Sequence, residues 1–168
     1  RALLPYLGGW SYEESAILKT VGARQADLSP QVEKNGELSG IFDLLAEPFE
    51  LPPTSREGFE RDLRLRIDRW ICDLYAIYRG GRAQSTITVT RAPGLRLIGS
   101  VATARDDRGQ GLAGAILRTI LDSYRGESIA VMALYDGVAG FYKQFGFTET
   151  GRWGRLRALQ QRAGKGKE

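Results

Sequence analysis

The second half of the chain carries the clearest alternation of apolar and polar positions. Residues 73–78 and 83–90 alternate and contain many β-branched and aromatic residues, which favours strands, and the glycines at 80–81 indicate a hairpin turn. A Pro-Gly pair at 93–94 predicts another turn ahead of a third strand at 95–103. Three consecutive strands joined by short turns predict an antiparallel meander.

The pattern then changes to a helical repeat. Apolar residues between 112 and 124 fall on one helical face, and residues 128–134 form a short apolar strand bounded by polar residues. A strand, a loop, a helix and a strand in this order predict a parallel crossover. A second helix at about 137–144, ended by Gly146, and a last strand at 147–153 follow.

The first half of the chain is less clearly patterned. Residues 11–20 predict a short helix that a serine caps and that carries two glutamates in its first turn. An apolar cluster at 38–49 predicts a second short helix, which ends at Pro48. After a proline-containing break at 51–55, residues 55–70 predict an amphipathic helix. The apolar face of this helix consists of Phe59, Leu63, Ile67 and Trp70.

These elements predict a mixed α/β fold. Its sheet would have an antiparallel front and one strand added by a parallel crossover, with helices flanking the sheet. A length of 168 residues suits a single domain. We expect a helical N-terminal part at 1–70, a core at 71–153 and a basic tail at 154–168. The chain begins at Arg1 rather than Met, so the sequence leaves open whether the native protein extends further.

The composition narrows the possible chemistry. With 42% hydrophobic and 26% charged residues, the chain is typical of soluble proteins, and no apolar run approaches the ~18 residues that a membrane helix needs. We therefore expect a cytoplasmic protein without a membrane partner. The lone Cys72 excludes an internal disulfide, and the absence of histidine excludes the usual zinc sites and histidine bases. Carboxylates, tyrosines, lysines, the backbone and water remain for catalysis.

The net charge of +4 is concentrated in one place. Residues 152–168 carry +5, so the remaining residues sum to −1. A basic end rich in Gly, Lys and Gln is typical of a solvated chain terminus rather than of a functional arm. No aromatic stacking platform accompanies it, which argues against a nucleic-acid partner.

The loop between the third strand and its helix is the strongest candidate for a binding site. It spans residues 105–113, with glycines at 109 and 111 and with Arg108 ahead of them. Glycines let the backbone approach a ligand, and the first amides of the new helix, its dipole and the arginine all favour an anion. A diphosphate is the expected guest, although glycines that only shape a tight turn would leave the same pattern.

Two segments resemble the GNAT superfamily of N-acetyltransferases. Arg108, Gly111 and Ala113 match its Arg/Gln-x-x-Gly-x-Gly/Ala motif, which in that family binds the pyrophosphate of the acyl-CoA. Residues 134–147 are similar to its Asn-x-x-Ala-x-x-Phe-Tyr-x-x-x-Gly-Phe motif. The resemblance covers about residues 95–153, and the preceding meander extends it towards the N-terminus.

The resemblance implies an enzyme that uses acetyl-CoA and passes the acetyl group to a primary amine by direct attack. The pantetheine arm would lie where the strand at 95–103 diverges from its parallel neighbour. Tyr142 would protonate or hydrogen-bond the departing thiolate, and an amide near Val101 or Thr103 would stabilise the oxyanion. The residues that the resemblance assigns to cofactor binding are Val101, Thr103, Arg108, Gly109, Gln110, Gly111, Leu112, Ala113, Asp136, Ala139 and Tyr142.

Three positions depart from the family's pattern. Asp136 replaces the asparagine that opens the second motif, where it can cap the helix but adds a negative charge. Arg105 replaces a proline, and Ser100 stands at the catalytic position where some members carry a glutamate base. Amine deprotonation would then use a water chain, a backbone carbonyl or another carboxylate such as Asp73, unless Asp73 is only a surface charge.

Other functions stay open at this point. A degenerate module would bind acyl-CoA as a sensor or scaffold without transferring the acyl group, and another transferase would use a longer acyl-CoA. Tyr142 lies among phenylalanines, so it would also suit a core position with its hydroxyl at the edge. The acceptor, which we expect to bind the N-terminal part, and the oligomeric state are not determined by the sequence.

Overall fold

The computed structural model describes residues 10–25 and 31–158. Short 3₁₀ turns in this part of the chain lie at Pro53–Ser55 and Arg105–Asp107. The strands and α-helices are, in chain order, β1 (Trp10–Val21), β2 (Val32–Lys34), α1 (Ile41–Ala46), α2 (Arg56–Asp68), β3 (Cys72–Arg79), β4 (Arg82–Ala92), β5 (Leu95–Thr103), α3 (Leu112–Ser123), β6 (Ser128–Met132), α4 (Asp136–Lys143) and β7 (Thr148–Ala158). Residues 159–168 of the predicted basic tail lie outside the described residues.

The strands form a mixed sheet in the order β2-β3-β4-β5-β6-β1-β7. Strands β2 to β5 pair antiparallel, and β5 pairs parallel with β6, so the predicted meander and the predicted crossover are both confirmed. Gly80, Gly81 and Gly94 have φ values of 57°, 74° and 67° in the two hairpin turns. Glycine enters this left-handed region without steric cost. The fold class predicted from the sequence is therefore confirmed.

The chain divides into two compact units. The larger unit comprises residues 19–131 and contains β2 to β5, α1 to α3 and nearly all of β6. The smaller unit comprises the described residues 10–18 and 132–158, which contain most of β1 together with α4 and β7.

The helix predicted at 11–20 is wrong, because this segment is strand β1. Ala16 and Leu18 are buried two positions apart, which is the burial period of a strand. The carbonyl of Ala16 accepts a hydrogen bond from the Ala133 amide at 2.9 Å. The two glutamates that suggested a first helical turn pair instead with arginines of β7. Strand partners that are distant in sequence override a weak local preference.

Two further elements differ from the prediction. The sequence does not indicate β2, whose three residues pair antiparallel with β3. Strand β7 continues beyond residue 153 to Ala158, so the segment predicted as the start of a solvated tail is part of the sheet.

Helices α1 and α2 pack on strands of the meander and close a hydrophobic core. The buried residues of this core are Leu38, Ile41, Leu45, Leu63, Cys72, Leu74, Ala76, Ala83 and Ala102. The helix predicted at 55–70 is confirmed as α2, but Trp70 does not belong to its buried face. Trp70 follows the helix end with φ of 59°, is 73% exposed, and has the Arg91 guanidinium over its ring at 5.4 Å. None of the described helices is long and apolar enough to cross a membrane.

Helix α3 covers the opposite face of the meander. Consecutive residues of a strand point to opposite faces. Leu74 belongs to the core under α1 and α2, whereas its neighbour Asp73 contacts Tyr124 at the end of α3. The large buried side chains on the inner side of α3 are Ile116, Leu117, Ile120 and Leu121.

A buried carboxylate joins four elements of the larger unit. Asp73 on β3 is 2% exposed and accepts hydrogen bonds from Asn35 Nδ2 at 3.0 Å, from Arg91 Nη2 at 2.6 Å and from the Tyr124 hydroxyl. Lys34 Nζ lies 3.5 Å from the same carboxylate. Burial by itself would raise the pKa of this carboxyl, but the hydrogen bonds from Tyr124, Arg91 and Asn35 outweigh burial and lower the pKa. The interpretation of Asp73 as a surface charge is therefore wrong.

We expect Asp73→Asn to lower the free energy of unfolding by about 3 kcal/mol, because the variant leaves the half-buried Arg91 guanidinium without its charged acceptor. The matched control is Asp62→Asn, which removes an exposed ion pair with Arg66 at 3.7 Å and should cost less than about 1 kcal/mol. Urea denaturation measures both values. Equal losses in the two variants would contradict the anchoring role of Asp73.

The same pair of proteins gives a pH test. The folded-state pKa of Asp73 is lowered, so its contribution to stability is present above the unfolded pKa of about 3.9 and is lost as the pH falls through the lower folded value. The stability difference between wild type and Asp73→Asn should accordingly be constant near neutral pH and shrink in acid.

Candidate functional site

The loop between β5 and α3 turns on two glycines. Gly109 and Gly111 have φ values of 77° and 76°, and a methyl group on either would meet no atom within 4 Å beyond the adjacent residues. The positive φ, rather than crowding, therefore requires glycine, and the backbone here faces open space. The exposed Arg108 donates from Nε to the Thr103 carbonyl at 3.2 Å, which ties the loop to the end of β5.

Helix α3 begins directly after this loop. Its first amides have no carbonyl acceptor within the helix, and the helix dipole places partial positive charge at the same end. The first bond of the helical ladder runs from the Ala115 amide to the Gly111 carbonyl at 2.9 Å. The half-buried Leu112 and Ala113 therefore contribute backbone amides that point out of the helix end. Such an end is a favourable place for a phosphate group.

One of the two acidic residues of the loop has its charge offset by an arginine. Asp107 is buried, and its carboxylate lies 3.7 Å from Arg79 Nη1, which offsets its charge. Asp106 is exposed, and its carbonyl accepts a hydrogen bond from Gln110 Nε2 at 3.4 Å. Arg108 remains exposed beside the glycines.

Strand β5 pairs unequally at its two edges. Its antiparallel pairing with β4 runs from residue 95 to residue 103, whereas its parallel pairing with β6 covers only residues 96–98. In the pairing with β4, Ser100 and Val101 together stand opposite Ile87, which is a β-bulge, and Ser100 has φ of 48°. The bulge lies just beyond the last residue pair between β5 and β6.

Beyond the bulge, successive peptide groups of β5 point alternately to its two edges. The Ala104 amide donates to the Gln84 carbonyl at 2.8 Å, so residues 102 and 104 face β4. The peptide groups of Val101 and Thr103 consequently face the other edge, where pairing with β6 has ended. This orientation is what a role of Val101 and Thr103 in binding an extended ligand requires.

The larger unit supplies no strong base at the predicted position. Ser100 is half-buried, and an alkoxide is not available from serine at neutral pH. Asp73, the other carboxylate that we considered, is held by Arg91, Tyr124 and Asn35, and its pKa is lowered. A carboxylate that is buried, bonded and weakly basic is a poor proton acceptor.

In the smaller unit, helix α4 carries Tyr142. The ring is 3% exposed and contacts Phe141 and Phe147, with centroid distances of 5.1 and 5.7 Å. Burial raises the pKa of Tyr142 to about 12. The phenol therefore keeps its proton at neutral pH and can act as a hydrogen-bond donor but not as a base.

Asp136 is the first residue of α4, and its predicted capping role is wrong. The N-cap is Tyr135, and no side chain caps this helix. The Asp136 carboxylate instead accepts hydrogen bonds from Arg152 Nη2 at 2.9 Å and from Ser15 Oγ at 3.4 Å. The bond from Arg152 lowers the pKa of Asp136 and offsets its negative charge. Ala139, one turn before Tyr142, is buried.

The predicted site residues thus fall into two sets. One set lies on the consecutive β5, loop and α3 of the larger unit, from Ser100 to Ala113. The other set lies on α4 of the smaller unit, namely Asp136, Ala139 and Tyr142.

Sequence reasoning missed a cleft of about 470 Å³ in the smaller unit. It is lined by Glu13, Glu14, Leu134, Tyr135 and Arg155. The helical assignment of the first segment concealed it, because Glu13 and Glu14 line the cleft from strand β1. Among the residues that the structure describes, no group of three or more His, Cys, Asp or Glu side chains could hold a metal ion.

Solved structures with this fold come from several organisms. A GCN5-related N-acetyltransferase from Sphaerobacter thermophilus superposes with a TM-score of 0.67 at 17% identity, over 95% of this chain and 56% of that one. A predicted acetyltransferase with acetyl-CoA from Clostridium acetobutylicum gives 0.60 at 15%, over 78% and 97%. Glucosamine-6-phosphate N-acetyltransferase from Arabidopsis thaliana gives 0.59 at 16%, over 71% and 93%. At these identities the likeness concerns the fold.

The chain corresponds to only part of some of these proteins. It spans 56 to 67% of the length of four of the structures that it matches. By sequence comparison, no curated protein matches the chain significantly.

A family comparison covers the larger part of the chain. The profile of the acetyltransferase (GNAT) domain matches residues 32–150, which include the glycine loop and Tyr142. The match extends over more than half of the sequence and agrees with the mixed sheet and its parallel crossover. The chain therefore belongs to the GNAT acetyltransferase domain family.

Proposed function

We propose that this domain transfers an acetyl group from acetyl-CoA to a primary amine by direct attack, without a covalent enzyme intermediate. The observation that carries the proposal is the outward-facing backbone of Gly109 and Gly111 at the start of α3, with Arg108 beside it. Family membership supports the same reaction class. Release of free CoA thiol from acetyl-CoA, measured across a panel of amines, tests the proposal.

The residues present fit acetyl-CoA. Arg108 and the amides between Gly109 and Ala113 would bind the diphosphate, because they combine a guanidinium with a helix N-terminus. The outward peptide groups of Val101 and Thr103 would bind the amide-bearing pantetheine arm. When bound, acetyl-CoA supplies an acetyl group already activated as a thioester.

The bulge in β5 would provide a hydrogen-bond donor that stabilises the negative charge formed on the substrate oxygen during the reaction. An amide at Val101 faces the edge of β5 that has no strand partner beyond residue 98, so it can donate to an oxygen that gains negative charge. A donor in a strand that is paired with β4 on both sides of the bulge needs little reorganisation. Ser100 would order water near this position rather than remove a proton.

Tyr142 would serve as a donor to the departing thiolate. Its pKa of about 12 lies above the ~8.5 of a typical thiol. Complete transfer of the Oη proton is therefore uphill, and we propose that Tyr142 stabilises the thiolate mainly through a hydrogen bond.

A second candidate function is an acyl-CoA-binding module without turnover. The observation that favours it is the state of Asp73, because the carboxylate considered as a replacement base is committed to Arg91 and Tyr124. CoA binding with no thiol release for any amine would support this module over the enzyme.

We expect Gly111→Leu to raise the Kd for CoA by about tenfold or more, because the side chain blocks the backbone approach and resists the positive φ. Gly126→Leu is the matched control, since Gly126 has φ of 77° and open space around it but lies outside the loop. Calorimetric titration with CoA measures both. A similar loss of affinity in both variants would mean that general strain, not the loop, is responsible.

We expect Tyr142→Phe to slow the chemical step about 10- to 1,000-fold while the fold survives, because the ring is kept and only the donor is removed. Tyr78→Phe is the control: burial raises the pKa of Tyr78 to about 12 as well, but its hydroxyl donates to the Glu37 carbonyl. Single-turnover measurements compare the two variants. An unchanged rate in Tyr142→Phe would leave Tyr142 with a packing role alone.

We expect the rate to rise with pH towards the pKa of the acceptor amine, because deprotonation is left largely to solution equilibrium. Tyr142 has a pKa of about 12, so it stays protonated and adds no falling limb at ordinary assay pH. Ser100→Ala should lower the rate by about tenfold or less and leave the midpoint unchanged. A plateau well below the amine's pKa would reveal a base on the protein.

A further inference from the structure

A small open space lies on the sheet of the larger unit, next to Gly99 of β5. Gly99 pairs with Thr88 of β4, and Thr88 pairs with Leu74 of β3. Directly paired residues of neighbouring strands point to the same face of a sheet. Leu74 belongs to the core under α1 and α2, so Gly99 is open towards that same face. Among the described atoms beyond the adjacent residues, a Cβ at Gly99 would meet only Thr88 Oγ1 within 4 Å, at 3.4 Å.

The Thr88 hydroxyl borders this space, and no described residue bonds to its oxygen. Thr88 is 6% exposed, but its Oγ1 retains contact with solvent. The threonines two positions away on the same strand and face are bonded: Thr86 Oγ1 donates to the Tyr75 carbonyl at 3.2 Å, and Thr90 Oγ1 accepts from Arg66 Nη2 at 3.0 Å. A nearly buried hydroxyl is usually bonded in this way. Thr88 Oγ1 is therefore available to a ligand.

The open space adjoins the bulge of β5. Gly99 directly precedes Ser100 and Val101, and Thr88 directly follows Ile87, which stands opposite the bulge. Since one strand residue spans about 3.3 Å, Val101 lies at most about 7 Å along the strand from Gly99. Pairing of β5 with β6 ends at residue 98, so the strand edge beside Gly99 is open as well. A ligand in the space thus lies close to the amide that we propose as the donor to the reacting oxygen.

The neighbours of the space limit what can enter it. On the same face, the half-buried Leu97 follows next along β5, and it pairs with Ala130 of β6, which is 3% exposed. The space exists because Gly99 has no side chain, and a single added carbon would already contact Thr88 Oγ1. A slim group with one polar end therefore fits, whereas a branched group does not.

We propose that this space receives the amine end of the acceptor and that Thr88 Oγ1 accepts a hydrogen bond from its nitrogen. The proposal rests on the proposed acyl transfer. In that transfer the amine nitrogen forms the new bond to the acetyl carbon, the C–S bond breaks with its electron pair going to sulfur, and one amine proton passes to solvent. Holding one N–H at Thr88 leaves the nitrogen lone pair free to face the acetyl carbon.

The narrow space also defines the class of acceptor. The amine stands on an unbranched carbon, as R-CH2-NH2, because a branch at that carbon would occupy the place where Gly99 lacks a side chain. A small free amine and a lysine side chain both carry this group. The α-amine of most amino acids and peptide N-termini stands on a branched carbon and is excluded.

Titration of the ¹⁵N-labelled chain with benzylamine and with α-methylbenzylamine tests the binding. We expect benzylamine to shift the amides of Thr88 and Gly99, with a Kd about tenfold or more below that of the branched amine. Gly99→Ala, whose methyl group fills the space, should raise the Kd for benzylamine by a similar factor. Equal affinities of the wild type for the two amines, or shifts confined to other regions, would overturn the proposal.

Thr88→Val removes the hydroxyl but keeps the branched shape, so it should raise the Kd for benzylamine about tenfold, whereas Thr88→Ser should stay within about threefold of the wild type. Thr86→Val is the matched control, because it makes the same change on the same face at a hydroxyl already bonded to the Tyr75 carbonyl. It should change the Kd less than about twofold. Thermal melts establish that each variant is folded. Wild-type affinity in a folded Thr88→Val variant would contradict the role of the hydroxyl.

Peptides distinguish the two sources of the amine. A blocked tripeptide with a central lysine that binds more tightly than benzylamine assigns the acceptor to a lysine side chain, and weaker binding assigns it to a small free amine. Tighter binding of an alanine tripeptide through its free N-terminus than of either unbranched amine would count against the proposal.

Failure of this proposal is distinguishable from failure of the proposed function. Binding of benzylamine beside Gly99 without release of CoA thiol for any amine would keep the binding site and reject the enzyme. Thiol release with an amine KM and kcat that Thr88→Val leaves unchanged would keep the enzyme and reject the binding site.

Discussion

The arrangement of the larger unit depends on the unequal pairing of β5. One edge of this strand pairs with β4 from residue 95 to residue 103, interrupted by the bulge at Ser100 and Val101, while the other edge pairs with β6 only over residues 96–98. Backbone amides and carbonyls must find partners when they are removed from water. The outward carbonyl of Thr103 already accepts a hydrogen bond from Arg108. The strand is thus held by β4 on one edge, while beyond residue 98 its other edge has no residue pairs with β6.

The glycine loop continues from this strand, and a distant anchor steadies the helix that follows it. Tyr124, at the C-terminal end of α3, donates to Asp73, and Arg91 and Asn35 complete the set of donors. The Asp73 carboxylate is buried, so its charge is stabilised only while all these elements stay in place. The N-terminal end of α3, where we propose that a phosphate binds, therefore belongs to a helix whose other end is fixed by a buried charge.

The smaller unit differs from the larger one, because charged side chains form much of its surface. Arg152 binds carboxylates from β1, α4 and β7, and so connects the first described strand with two elements that are distant from it in sequence. Exposed ion pairs of this kind contribute little each, but a shared guanidinium holds several side chains in one geometry. The adjoining cleft keeps an exposed Tyr135 beside these charges.

The sequence by itself determined the meander, the parallel crossover and the glycine loop, because each depends on local signals. Gly80, Gly94 and Gly111 stand where the backbone takes a positive φ, and periodic apolar residues mark the faces of β4 and α3. Only the tertiary structure decided that residues 11–20 form a strand. Their glutamates favour a first helical turn locally but pair with β7 across more than 130 residues. The state of Asp73 was equally hidden, since a carboxylate in a sequence reveals neither its burial nor its donors. Distant partners set the energy of such charges, and a linear pattern does not contain them.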